Sequence, residues 1–500
     1  MKRYKFNWYK IKIYIISIVF IIFSGYVFST VRKIKADEPA APDITTDILL
    51  NGNGEYANGY NHGTVYSIDG KPISYDAKII AGKEKYMRHS GIDEFTPILG
   101  IEGFGSGGLI NQCDITLHSA ARNVNVELRE GNSIQTTFSY KAQCVASSLL
   151  KQYFPSYVCK GASLAVVLKD GSVIVAAGSN AYNACEFNLG DCNTYPEDMC
   201  IDKTAENFAI GSSAKTFTSA ALLFNDSYVD EEYSMYNPEF LDLSFYVHGG
   251  HCIENHDRYD TGEYSITIDS ESNQMARCIG LEDAFVHSSN TYFWRHALNF
   301  GLDKTFNAIN NLFSVTQPIV TEINTLTVLE SDPERYDYLF WGQDWVSNGV
   351  STSYMYNSIF SGEKYMPFYI TSVYTPDGNE VYRADPQNTK TIPFDSKMKN
   401  ILISSLSKCF KNYCRNIDPS VYEKYNKLIE NNRILAKSGT ADVVVNEITN
   451  HTRVVTLLDE NHDVICTATI GVNRATNHCT VDDNIMFSII FNTLEAAGIL

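Results

Sequence analysis

Basic residues are scarce beyond the first 35 positions of this 500-residue chain. Eight of its 40 Lys and Arg fall in that opening stretch, beside no acid, and the remainder sets 32 cations against 58 acids. A body that acidic repels phosphate backbones, so no nucleic acid is expected among its partners. Internal repeats are missing, which sets aside solenoids and propellers. Zinc-type spacing is missing too: Cys185, Cys192 and Cys200 stand near one another but match no common ligand pattern. The 12 cysteines, with Cys409 and Cys414 as another near pair, read instead as disulfides or buried thiols of an exported domain. Apolar material is ample. Hydrophobic residues make up 44% and aromatics 12%, which argues against disorder, and the length suits one large domain with a smaller one.

One long apolar run exists. Residues 13–31 hold no charge over 19 positions, close to the ~20 that cross a bilayer as a helix. Lys2, Arg3, Lys5, Lys10 and Lys12 precede it, while Arg32, Lys33 and Lys35 follow. That bias favours a cytoplasmic N-terminus. The expectation is a cytoplasmic tail over 1–12 and a single transmembrane anchor over 13–31. Everything after it would lie on the extracytoplasmic side of the cell membrane. A signal peptide cleaved near Val27-Phe28-Ser29 is the alternative.

Residues 37–65, rich in Asp, Gly, Asn and Pro, read as a linker. With the less regular stretch that follows, 32–130 is assigned to linker and small N-terminal pedestal. It contains Gly103-Phe104-Gly105-Ser106-Gly107-Gly108, formally G-x-G-x-x-G. No strand precedes this and no helix is expected after it, so it reads as a loop and not a dinucleotide site. Apolar spacing predicts a helix over 139–154 with Ser139 at its N-cap. A β-hairpin is expected from strands at 163–168 and 173–177, turning at Asp170-Gly171. The stretch 205–430 reads as mostly helical and loop-like. Strands follow at 434–445, 452–459 and 464–472, then a terminal helix over 483–497. Strands near both ends with helices between predict an α+β domain over 131–500 whose sheet pairs those ends.

Three short polar patterns carry chemistry. Ser212-Ser213-Ala214-Lys215 opens an apolar stretch through Phe217, Ala220, Ala221 and Phe224. Three apart on a helix, Ser212 and Lys215 share a face, so the amine could take the hydroxyl proton and free a nucleophile. Alone, the pattern is as well explained by a helix cap and a solvated lysine. Ser288-Ser289-Asn290 falls at a turn between two helical stretches. Lys437-Ser438-Gly439-Thr440 lies inside a strand, where the glycine would let a substrate backbone come close. All three in this order, each in a fitting local structure, make a strong signal.

On these motifs the chain resembles the penicillin-binding protein and serine β-lactamase superfamily, whose signatures are Ser-x-x-Lys, Ser-x-Asn and Lys-(Ser/Thr)-Gly. His287-Ser288-Ser289-Asn290-Thr291-Tyr292-Phe293 and Ala436-Lys437-Ser438-Gly439-Thr440-Ala441 extend the likeness. So does Gly362-Glu363-Lys364-Tyr365-Met366-Pro367. The resemblance implies a penicillin-binding transpeptidase domain: a central antiparallel sheet flanked by helices, plus a helical subdomain. It implies that Ser212 attacks a terminal D-Ala-D-Ala carbonyl with Lys215 as general base, kept neutral by nearby Lys437. Ser288 would relay the proton to the leaving amine, and Asn290 would hold the acyl chain. Lys437 and Thr440 would bind the terminal carboxylate, and Ser438 and Gly439 would complete the substrate strand. The Ser212 and Thr440 N–H groups would form an oxyanion hole. No metal or other cofactor is implied.

Between Asn290 and Pro367 no Glu has Asn four residues on, unlike a class A β-lactamase, and too few residues precede Ser212 for a glycosyltransferase domain. The chain is therefore similar to a small class B, monofunctional D,D-transpeptidase. The resemblance implies stem peptides and β-lactams as ligands, and a polytopic membrane glycosyltransferase as partner. A D,D-carboxypeptidase or slow β-lactamase on the same site is an alternative; a non-catalytic scaffold or β-lactam sensor is another. His248, His251, Cys252, His256 and Asp257 read as a polar loop near the groove, not a metal site.

Overall fold

Seven consecutive residues of strand Gly161–Leu168 are buried. Side chains alternate between the faces of a sheet, so such a run needs cover on both. The strand sits in a five-stranded antiparallel sheet, ordered Ile434–Val443, Ile448–Leu458, Val464–Ala475, Gly161–Leu168 and Val173–Gly178. Helix Gly349–Ser361 packs on the third and fourth of these. Its Gly349 meets Ala165, and its Ser353 hydroxyl shares a 2.8 Å hydrogen bond with Thr469. Helices Tyr140–Tyr153 and Asp483–Ala496 pack on each other and on the sheet. Hairpin, late strands and terminal helix fall close to their expected places, and Thr469 opposite Ala165 joins the two ends of the domain. Asp170 shapes the hairpin turn by accepting the Ser172 N–H at 2.9 Å. Ser139 occupies the N-cap as expected, although its side chain makes no capping bond.

The computed structural model describes residues 63–81, 84–100, 108–113, 117, 131–155, 157–182, 201–223, 246–248, 251–253, 281–286, 288, 290–331, 338–386, 388–392, 396–416, 419–443, 448–475 and 482–500. The expected tail, anchor and most of the linker lie outside them, as do Cys185, Cys192, Cys200 and Ser289. Among the described residues no helix is long and apolar enough to cross a membrane.

A six-stranded sheet departs from the expected organisation. Its order is Glu380–Arg383, Ile370–Tyr374, Ser133–Thr136, Val65–Tyr66, Pro72–Ala81 and Glu84–Gly91. Val65–Tyr66 runs parallel to Ser133–Thr136, and Ile370–Tyr374 runs antiparallel to it on the other side. The boundary placed near 130 therefore cuts through a sheet, within a unit that spans Glu55–Leu500. Strands at 370–374 and 380–383 also sit in the stretch read as mostly helical. A one-turn helix, Leu109–Gln112, does open after Gly108, held by buried Leu109 and Ile110.

Candidate active site

Gly211–Ala214 forms a 3-10 turn that runs straight into helix Lys215–Leu223. Residues i and i+3 eclipse in a 3-10 turn, which sets Lys215 Nζ 2.9 Å from Ser212 Oγ. All nine helix residues are buried, so the helix threads the core and does not lie on it. Phe217 anchors it among Phe313, Trp345 and Tyr356. The turn itself is held from behind. The Ile210 N–H donates to Trp345 O at 3.0 Å, and the Tyr356 hydroxyl donates to Ser213 O at 2.8 Å. A phenol has one proton, so Thr216 Oγ1 is the donor in its 2.8 Å bond to the same oxygen.

Ser288 stands between helices Leu281–Val286 and Asn290–Phe300, with φ +54°. That left-handed conformation costs a residue with a Cβ roughly 1–2 kcal/mol. It aims both the carbonyl and the hydroxyl of Ser288 at Lys215. Lys215 Nζ donates to Ser288 O and to Asn290 Oδ1, each at 2.5 Å, with Ser288 Oγ at 3.3 Å. Two short bonds use two hydrogens. In the neutral amine, the remaining position toward Ser212 is a lone pair able to accept its proton.

Lys437 Nζ donates to Ser288 Oγ at 3.0 Å and to Ser438 O at 3.1 Å. Both lysines are fully buried. A continuous line thus joins Ser212 Oγ, Lys215 Nζ, Ser288 Oγ and Lys437 Nζ. Lys437 lies on Ile434–Val443, the edge strand of the five-stranded sheet. Ser438 turns its N–H away from the neighbouring strand, donating it to the Tyr413 hydroxyl at 3.2 Å. Alternation along an antiparallel strand gives the backbone of Thr440 the same outward direction. Thr440 is exposed, and its backbone abuts Gly211.

Gly439 has a different role from the one expected. A Cβ there would fall 2.0 Å from Ile210 O and 2.9 Å from Ser213 Oγ. The space is filled by the turn that carries Ser212, so the missing side chain lets the third motif close onto the first. The five expected catalytic residues, Ser212, Lys215, Ser288, Asn290 and Lys437, converge; Ser438, Gly439 and Thr440 line the adjoining edge.

Sequence reading missed the supports. Tyr356 and Tyr413 come from distant helices, and Arg453 Nη1 donates to Gly439 O at 3.1 Å while pairing with Asp483. Beneath the lysines lies Cys409, whose thiol burial pushes up to about 11, against the opposing pull of Lys437, Lys408 and Lys215. Cys113, Cys144, Cys159, Cys409, Cys414 and Cys466 are all free and buried, so the Cys409/Cys414 pair is not a disulfide. Within the polar stretch 245–262, Tyr246–His248 and His251–Ile253 pair as a short hairpin. Among the described residues no group of His, Cys, Asp and Glu is placed to hold a metal ion.

No family model and no curated relative matches the chain by sequence. Solved structures do match. Penicillin-binding protein A from M. tuberculosis, as an imipenem acyl-enzyme complex, has a TM-score of 0.65 at 15% identity, covering 88% of this chain and 99% of its own. The D,D-transpeptidase domain of a peptidoglycan glycosyltransferase from Eggerthella lenta has a TM-score of 0.64 at 16% identity, over 88% and 100%. The fold is that of the penicillin-binding transpeptidases. Penicillin-binding protein 3 from M. tuberculosis, complexed with aztreonam, has the same fold at a TM-score of 0.62 and 14% identity, over 88% and 97%. Within this transpeptidase fold, the three sequence motifs meet at one point on the edge of the five-stranded sheet.

Proposed function

We propose that the chain is a monofunctional D,D-transpeptidase that cross-links peptidoglycan stem peptides through an acyl-enzyme on Ser212, and that β-lactams block it at the same atom. The observation that carries this reading is the hydrogen-bonded line from Ser212 Oγ through Lys215 Nζ and Ser288 Oγ to Lys437 Nζ. Neutral Lys215 takes the hydroxyl proton as Ser212 attacks the carbonyl of the penultimate D-Ala. When the tetrahedral intermediate collapses, the proton passes through Ser288 Oγ to the departing D-Ala amine and the C–N bond breaks. An acceptor amine then attacks the ester, gives up its proton along the same path, and restores Ser212. The Ser212 and Thr440 N–H groups cradle the oxyanion, a contribution of roughly 3–4 kcal/mol per donor in other acyl-transfer enzymes. Lys437, Ser438 and Thr440 receive the terminal carboxylate, and Asn290 holds Lys215 and the acyl chain in place. The apolar run at 13–31 and the excess of Lys and Arg before it over those after it support a single-pass membrane anchor with the catalytic domain outside the cytoplasm. A polytopic glycosyltransferase would supply the glycan strands.

Fluorescent-penicillin labelling of residues 37–500, beside Ser212→Ala and with intact mass to count adducts, tests the reading. One long-lived adduct on the wild type and none on the variant is expected, and its persistence argues against a β-lactamase. No adduct on a folded wild type would overturn the active-enzyme reading in favour of a scaffold. Donor and acceptor stem peptides then separate cross-linking from hydrolysis.

A further inference from the structure

Tyr413 reaches Ser438 from helix Ser396–Asn416, on which no active-site motif lies. Its hydroxyl accepts the outward Ser438 N–H at 3.2 Å and shares a 2.5 Å hydrogen bond with Ser438 Oγ. The ring is held against Phe487, with centroids 5.7 Å apart. A phenol offers one proton and two acceptor sites. It is a stronger acid than an aliphatic hydroxyl, and accepting a bond from an N–H polarises it further toward donating. In the short bond, therefore, Tyr413 is the donor and Ser438 Oγ the acceptor. Ser438 keeps its own proton for a further acceptor. Its side chain is half-buried on the edge strand, and its carbonyl is held by the Lys437 ammonium. An anion reaching this edge meets a hydroxyl donor beside a positive charge; a neutral group gains far less.

We infer that Tyr413 is a positioning residue for carboxylate recognition, turning the Ser438 hydroxyl proton toward the C-terminal carboxylate of the substrate. The inference rests on the transpeptidase reading and deepens it. It makes selectivity for a free carboxyl end depend on a helix outside the three motifs.

The test uses two thioester stem-peptide mimics, one whose leaving group ends in a carboxylate and its primary-amide twin. Second-order acylation rates are measured on the wild type, Tyr413→Phe, Ser438→Ala and the double variant. The wild type should prefer the carboxylate. Tyr413→Phe, which keeps the ring on Phe487, should slow the carboxylate mimic roughly tenfold, a loss of about 1.4 kcal/mol, and leave the amide nearly unchanged. Ser438→Ala should do the same, and the double variant should lose no more than either alone. Equal losses on both mimics, or additive losses, would show that Tyr413 only packs. Should Tyr413→Phe fail to fold, an unchanged carboxylate-to-amide ratio in Ser438→Ala overturns the inference by itself. Acylation of the wild type by neither mimic nor penicillin overturns the transpeptidase reading and this inference with it. Acylation without any carboxylate preference overturns the inference alone.

Discussion

Replacing Gly439 by alanine asks whether the first and third motifs must touch for the site to work. The new Cβ would land 2.0 Å from Ile210 O, where even close C–H···O contacts keep carbon and oxygen about 3.3–3.6 Å apart. Strand and turn would have to part by about 1 Å or more. The turn is tied to Trp345 and Tyr356, whereas the strand is paired on one side only, so the strand yields. Lys437 moves with it, and its 3.0 Å bond to Ser288 Oγ is lost. A misplacement of about 1 Å in a catalytic array slows reaction about 100-fold, and overpacking of this kind costs roughly 1–3 kcal/mol of stability. Stopped-flow acylation by fluorescent penicillin and urea unfolding read the two effects separately. Gly378→Ala is the control: its φ is +83° and nothing lies within 4 Å of the added carbon, so its turn is strained while acylation keeps the wild-type rate. Wild-type acylation and stability in Gly439→Ala would refute the reasoning.

The two remaining predictions concern stability. Burial holds the His296 imidazole neutral down to about 4, against an ordinary value of 6.5. Its contribution is therefore full above pH 6.5 and is lost as pH falls through 4, about 3 kcal/mol in all. Asp202, pushed up to about 6 by burial, opposes it: its contribution is present below its ordinary 3.8 and lost as pH rises through 6. In urea unfolding between pH 4 and 6.5, Asp202→Asn should steepen the acid loss and His296→Phe should reverse it; unchanged slopes would remove both groups from the account. Tyr356→Phe strips the hydroxyl that holds Ser213 O, at a cost of about 1–3 kcal/mol. Its penicillin acylation should slow as well, and a variant with wild-type melting and acylation would show that the turn stands without this bond.

The parts legible in the sequence are those with a local period. The 139–154 helix, the Asp170-Gly171 hairpin and the late strands each announce themselves through spacing or a turn dipeptide. The three motifs were legible because their order and local settings agree. The six-stranded sheet was hidden for the opposite reason. Its Ser133–Thr136 strand is four residues long, and Glu380–Arg383 is exposed throughout, so neither has an apolar alternation to read. Ile370 pairs with Thr136 across almost half the length of the chain, and no nearby residue signals that. Tyr356 and Tyr413 act through single hydroxyls delivered from remote helices, which only the packed structure brings into reach. Gly439 is visible in the strand pattern, but the Ile210 carbonyl against it is not, because a strand pattern does not say what lies against its face.

The sheet that carries Lys437 also sets a schedule. Its edge strand joins the rest only through Ile448–Leu458 and Val464–Ala475, which in turn dock on Gly161–Leu168. A chain still being synthesised can brace the Ser212 turn once Trp345 and Tyr356 have been made, yet it has nowhere to seat the second lysine until those late strands arrive. Pairings so distant in sequence also close slowly. Under the proposed function, newly made molecules would therefore stay inert toward peptide and antibiotic alike until synthesis is almost complete, and a nonsense truncation before the last strands would leave a chain without activity instead of a weakened one.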